Sequence, residues 1–269
     1  MKHIVRLTVL SLAIWFFASC AVAPVANPRI LGLGAQFTGS RPSEADNTEN
    51  NDEAWHVDLN EHGDLKLLSS SIRIDKSLLN ADILNALEQA GIAPGDVTNV
   101  LPLGSKSLFS VNSGEFGGGV YIATPAQRGA TVQRLCAGGS IGIFMIGDHL
   151  VNITSLRHGV NPTGGAYNVK LGVGDSESRS TCQKLFDLPT APVVATSWRG
   201  ALIFSDGSAI YAMDLTLRVE KLKTLSHQIA PTGMIVVGSS ILISAPPVIL
   251  ELKEHHGRFS ESWYHVRLK

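Results

Sequence analysis

The chain has 269 residues, 44% of them hydrophobic and 17% charged, with 26 glycines and a formal net charge of −1. Near-neutrality excludes the basic footprint of a nucleic-acid binder, and the apolar content excludes wholesale disorder. Once a leader is set aside, roughly 250 residues remain, enough for one large domain or two small ones.

Lys2, His3 and Arg6 precede an apolar run from Leu7 to Phe17 that is too short to span a bilayer comfortably. Residues 1–20 read as a secretory signal and residues 21–28 as a tether. The run ends in Phe17-Ala18-Ser19-Cys20, which resembles a bacterial lipobox, with Phe17 where an aliphatic residue is usual. The resemblance implies lipid on Cys20. Ala21 after it, rather than an aspartate, implies an outer-membrane lipoprotein facing the periplasm. The alternative is ordinary cleavage near Ser19-Cys20-Ala21 and a soluble secreted protein.

Residues 29–269 read as a single domain. "RILGLGAQFTGS" (29–40) holds one or two strands of the first blade, and the acidic stretch "SEADNTENNDE" lacks the carboxylate spacing of a calcium loop. "AWHVDL" (54–59) is the first of a recurring strand, followed by a helical insertion at about 76–95. Within it Asn80 is the expected N-cap, Ile83, Leu84 and Leu87 form an apolar face, and Gly91 stops the helix.

Beyond the helix the recurring strand returns as "VYIATP" (120–125), "AYNVKL" (166–171), "IYAMDL" (210–215) and "VILELK" (248–253), each after a turn signal. Tyr121, Tyr167 and Tyr211 take its second place, and Ile249 the same place in the last copy. Two apolar runs precede each of these four copies and a fourth strand follows it, so four short strands recur about every 40 to 50 residues, the spacing of propeller blades. First runs such as "SIGIFMIG" and "GMIVVG" are apolar at consecutive positions, the pattern of strands buried on both faces. The predicted fold is therefore an all-β β-propeller of five four-stranded blades, with one short helical insertion after the first blade; a sandwich or irregular barrel is the alternative.

"SDGSAIYAMDL" resembles the Asp-Gly, Tyr-Ala and Asp hairpin of quinoprotein-like (PQQ-like) propeller repeats, carried by Asp206, Gly207, Tyr211, Ala212 and Asp214. The close match covers one blade. The resemblance implies a fold and no cofactor.

Apart from Cys20, the cysteines are Cys136 and Cys182, which either pair in an oxidising compartment or remain buried thiols. No metal site and no catalytic residue stand out. Asp148-His149 and His255-His256 lie at turns, and Gly117-Gly118-Gly119 lacks the lysine of a phosphate loop. The predicted first strands contain no Asp or Glu, whereas a glycoside hydrolase, the alternative function, needs paired carboxylates. The expected function is a noncatalytic cell-envelope propeller binding an envelope protein or polysaccharide. Its binding rim would be formed by the loops joining second and third strands together with the inter-blade connections. Glu115, Phe116, Arg157, His158, Trp198 and Arg199 are its candidate residues.

Overall fold

A computed structural model of the chain describes residues 37–38, 55–59, 65–69, 80–114, 117–127, 129–157, 162–172 and 180–266. The signal, the tether, Cys20, Glu115, Phe116 and His158 lie outside the described residues.

The first described elements are the short strand β1 (Phe37–Thr38) and the hairpin β2 (Trp55–Leu59) and β3 (Leu65–Ser69). Helix α1 (Ala81–Gln89) follows, with Asn80 as N-cap accepting from the Ile83 amide at 2.9 Å and Gly91 leaving at φ 71°. Four antiparallel meanders then follow in sequence. The first sheet is β4 (Val97–Leu103), β5 (Lys106–Val111), β6 (Gly119–Pro125) and β7 (Ala130–Ala137); the second is β8 (Ser140–Ile146), β9 (His149–Leu156), β10 (Thr163–Lys170) and β11 (Thr181–Leu188). The third is β12 (Val194–Trp198), β13 (Ala201–Ser205), β14 (Ala209–Met213) and β15 (Val219–Thr224). The fourth is β16 (Gly233–Val237), β17 (Ser240–Ala245), β18 (Val248–His255) and β19 (Arg258–Val266), with β1 added outside β19.

Neighbouring sheets pack face to face in a propeller-type arrangement, sharing apolar clusters between first and second, second and third, and third and fourth. The hairpin continues the series on the far face of the fourth sheet, where Trp55 and Val57 meet Leu242 and Ile249, and the Thr232 hydroxyl donates to the Trp55 carbonyl at 2.6 Å. At the other end α1 covers the first sheet, with Leu87 against Phe109, Val111 and Ala123. The doubly buried strands are the second ones: β13 and β17 are buried almost throughout, whereas β12 and β16 are mostly half-buried. This corrects the expectation for the first strands, which spend part of their surface on a central cavity.

One local device recurs. In the first three sheets the ladder between third and fourth strands slips beside the tyrosine, at Val120/Tyr121, Ala166/Tyr167 and Ile210/Tyr211. The extra residue is a leucine each time, Leu135, Leu185 and Leu222, packed against an inter-sheet cluster. Tyr121, Tyr167 and Tyr211 thus occupy equivalent places, opposite Arg134, Lys184 and Lys221. The fourth sheet has no slip, and its register aligns Leu250, not Ile249, with the tyrosines: Ser244 pairs with Ile249 as Ser205 pairs with Ile210.

Equivalent positions also fasten the sheets together along their outer strands. Cys136 of β7 is joined to Cys182 of β11 by a disulfide. The corresponding residues at the next junction are Phe186 and Val219, both packed on one apolar cluster. At the third junction they are Lys223 and Glu261, with Nζ 3.3 Å from Oε1. Glu261 also accepts from the Ser226 amide at 3.2 Å and the Ser226 hydroxyl at 2.5 Å.

The two ends of the sheets differ. First and second strands are joined by two-residue turns, Gly104-Ser105, Gly147-Asp148, Arg199-Gly200 and Gly238-Ser239. The opposite end carries the second-to-third loops and the crossings between sheets. There the Asp206-Gly207 turn is held by Asp206 Oδ1, which accepts from the Ser208 and Ala209 amides at 2.8 and 2.9 Å. Gly207, at φ 92°, is required because a Cβ would stand 2.2 Å from the Ile229 carbonyl oxygen. Burial opposes the charge on Asp206, but hydrogen bonds from Thr190, Ser208 and Ala209 hold its carboxyl below the usual range.

Two predictions follow from the junctions. Replacing Cys136 and Cys182 together by alanine should lower unfolding free energy by about 2–5 kcal/mol, the usual cost of losing a native bridge, as read by denaturant titration. For Glu261, burial raises the carboxyl pKa, but hydrogen bonds from Ser226 and Lys223 outweigh it and leave the folded value below the ordinary one. Its ionised form therefore stabilises above the ordinary glutamate range, and this contribution disappears as pH falls through the lowered folded value. The stability gap between the wild type and Glu261→Gln should be of order 1 kcal/mol at neutral pH and close below about pH 4.

Candidate functional site

The first strands converge on a cavity of about 1070 Å³. His56 of β2, Thr98 of β4, Ile141 of β8, Ala195 of β12 and Met234 of β16 all line it, so the hairpin and the first strand of each of the four sheets contribute to its wall. Its mouth opens at the loop end, where Asn112 and Gly114 follow β5, Gly138 and Gly139 cross to β8, and Arg157 follows β9.

The predicted rim divides. Arg157 lies at the mouth, is exposed, and meets no carboxylate among the described residues. Trp198 and Arg199 lie at the opposite end, because the turn they form joins a first strand to a second. Arg199 is at φ 50°, its guanidinium lies 4.5 Å from the Trp198 ring centroid, and Nη1 is 3.0 Å from Glu254 Oε2. Trp198 in turn lies 5.6 Å from Phe259. Sequence adjacency to a strand end had placed them on the rim; the strand count within the sheet puts them on the other side, where they join the third and fourth sheets. Glu115 and Phe116, between β5 and β6 in sequence, and His158, between β9 and β10, lie outside the described residues.

Residues missed by the sequence reading dominate the wall of the second sheet: Thr154, Ser155, Gly164, Gly165, Tyr167 and Lys184. Lys184 Nζ is 2.6 Å from Asp187 Oδ1, and this hydrogen bond holds the ammonium above its ordinary range despite some desolvation. Asp187 is the one carboxylate among the described lining residues, so they supply no pair of the kind glycoside hydrolysis uses. The remaining polar lining is hydroxyl, amide and imidazole. Ser155 Oγ is buried and has no hydrogen-bond partner among the described residues. Such a surface can donate and accept hydrogen bonds and hold opposite charge. His/Cys/Asp/Glu groups able to hold a metal are absent among the described residues.

No protein-family profile matches the chain, and no curated protein matches it in sequence. Among solved structures it is similar to apo AztD from Citrobacter koseri, at 13% identity over 62% of this chain and 46% of that one, TM-score 0.33. It is also similar to TolB from Acinetobacter baumannii, at 18% identity over 64% of this chain and 44% of that one, TM-score 0.38. Virginiamycin B lyase from Staphylococcus aureus aligns at 13% identity over 88% of this chain and 90% of that one, TM-score 0.39. All three are β-propeller-type proteins. The chain spans less than half the length of the first two. At TM-scores this low the likenesses carry no argument about this chain, whose architecture rests on the sheet packing described above.

Proposed function

We propose that the chain is an exported, noncatalytic five-bladed propeller that binds an envelope protein or polysaccharide at the cavity mouth. The β2–β3 hairpin is the remnant of the first blade, a reading supported by His56 in the lining and by the packing of Trp55 on the fourth sheet. Export is supported by the Cys136–Cys182 disulfide and the signal-like N-terminus, and lipid on Cys20 would anchor the chain to the outer membrane. No helix among the described residues is long and apolar enough to cross a membrane.

The observation that carries the reading is the cavity itself: wide, open at one end, rich in hydroxyls and poor in carboxylates. Binding through loops set on rigid strands leaves the ladder undisturbed.

Photo-crosslinkers placed singly at Leu156 and Leu215, both exposed and at opposite ends, test this directly. In envelope extracts adducts should form from Leu156 and not from Leu215, and the intact mass of the mature chain should include lipid on Cys20. Equal labelling from both positions, or labelling from Leu215 alone, would overturn the mouth as the binding surface. Glycan turnover abolished by Asp187→Asn would replace the binding role with the hydrolase alternative.

A further inference from the structure

The second sheet breaks the repeat at Asn152 and at Gly165, and the tyrosine between them borders the cavity. In the first and third sheets the bulge tyrosine pairs across the ladder with phenylalanine, Phe109 with Tyr121 and Phe204 with Tyr211, the latter rings stacked 5.3 Å apart. In the second sheet Tyr167 faces Asn152. Asn152 is fully buried, its Oδ1 accepting from the Ser140 hydroxyl at 2.5 Å, and it fills far less of the inter-sheet space than a phenyl ring.

Tyr167 leans instead over Gly165, where a Cβ would stand 2.8 Å from Tyr167 Cε2 and 3.0 Å from Thr154 Oγ1. Glycine there leaves room for the ring, and the ring becomes part of the cavity wall. Tyr167, Gly165, Thr154, Lys184 and Asp187 are on one face of the sheet, the face turned toward the first sheet, because each is paired directly across the ladder with another member of the set. On that same face, deeper between the sheets, Val169 and Cys182 join the apolar cluster shared with the first sheet. The cavity therefore has a side cleft between the first and second sheets, open at the mouth and closed at depth by the disulfide-linked cluster.

We propose that this cleft is a subsite for an acidic sugar unit; the proposal rests on the reading of the mouth as a binding surface and names its ligand class. The tyrosine ring offers a flat apolar face for the C–H side of a pyranose, and its hydroxyl remains available for hydrogen bonding. Asp187 can accept from sugar hydroxyls, and the Thr154 hydroxyl can accept from or donate to them. Two cations, Arg157 and Lys184, stand against one carboxylate, so the described lining favours a ligand that brings its own negative charge. A peptide fits the tyrosine wall less well: β10, which carries Gly165 and Tyr167, is hydrogen-bonded to β9 on one side and β11 on the other, so that strand has no free edge for a peptide to pair with.

The test is calorimetric titration of the purified protein with three probes: a hexuronic acid tetrasaccharide, the neutral hexose tetrasaccharide of the same linkage, and a tetra-aspartate peptide. The hexuronate should bind most tightly and weaken as salt rises. Tyr167→Ala and Arg157→Ala should each weaken it by about 10-fold, the loss expected for one charged hydrogen bond or one stacking face. Tyr167→Phe keeps the face and should bind within about 3-fold of the wild type, which separates ligand contact from a fold defect. Equal binding of tetra-aspartate, failure of both saccharides, or indifference to Tyr167→Ala would overturn the subsite. Adducts from Leu156 alongside failure of both saccharides would refute the sugar and leave the mouth as a binding surface; absence of both would remove the two readings together.

Discussion

A four-stranded sheet has two faces, and neither can be left wet when both are apolar. That constraint organises the molecule. Each sheet covers one face of the next, and the second strands, paired on both sides and covered on both faces, hold the fully buried Phe109, Phe204 and Ile243. Full burial of each such side chain contributes about 1.5–3 kcal/mol. A stack made this way has two outer faces left over. Here they are served by different elements, α1 at one end and the β2–β3 hairpin at the other. The helix is thus not an ornament on the repeat but the cover that the first sheet requires.

Within that scheme the bulge does a specific job. One extra leucine in the fourth strand bends the strand and packs its side chain against an apolar cluster shared with a neighbouring sheet. The fourth sheet lacks the bulge and carries β1 on its outer edge instead, with Phe37 opposite Val266. The strand expected in the first blade thus belongs to the fourth sheet, where it pairs with β19.

Much of this was legible in the residues. Apolar runs separated by turn signals located the strands of all four sheets, and Asn80 and Gly91 marked the helix ends, because both signals are local. Register was not local. Ile249 looked like the counterpart of Tyr211 by position in its hexapeptide, but the short connection at Pro246-Pro247 fixes Val248 opposite Ala245 and shifts the equivalence to Leu250. Trp198 and Arg199 looked like rim residues for a similar reason: which end a turn occupies depends on counting strands within the sheet. The cavity wall was harder still, since its signal is a set of departures from a repeat, Asn152 for phenylalanine and Gly165 in the strand opposite, and these acquire meaning only when the ladders are aligned. The leucine of "RLC", "KLF" and "KLK" was visible in the sequence, yet nothing in its composition says that it is an extra residue.

The unequal ends of the sheets bear on how such a chain can change. At one end each first strand passes to its second through two residues, and adding or removing one would rotate every side chain downstream to the wrong face of its strand. At the other end the loops after β5 and β9 lie outside the ladders and can lengthen, shorten or change composition without altering any pairing. Variation in length is therefore channelled to the cavity side. Two chains sharing this scaffold could present different mouths over an unchanged base, much as a common handle accepts different blades.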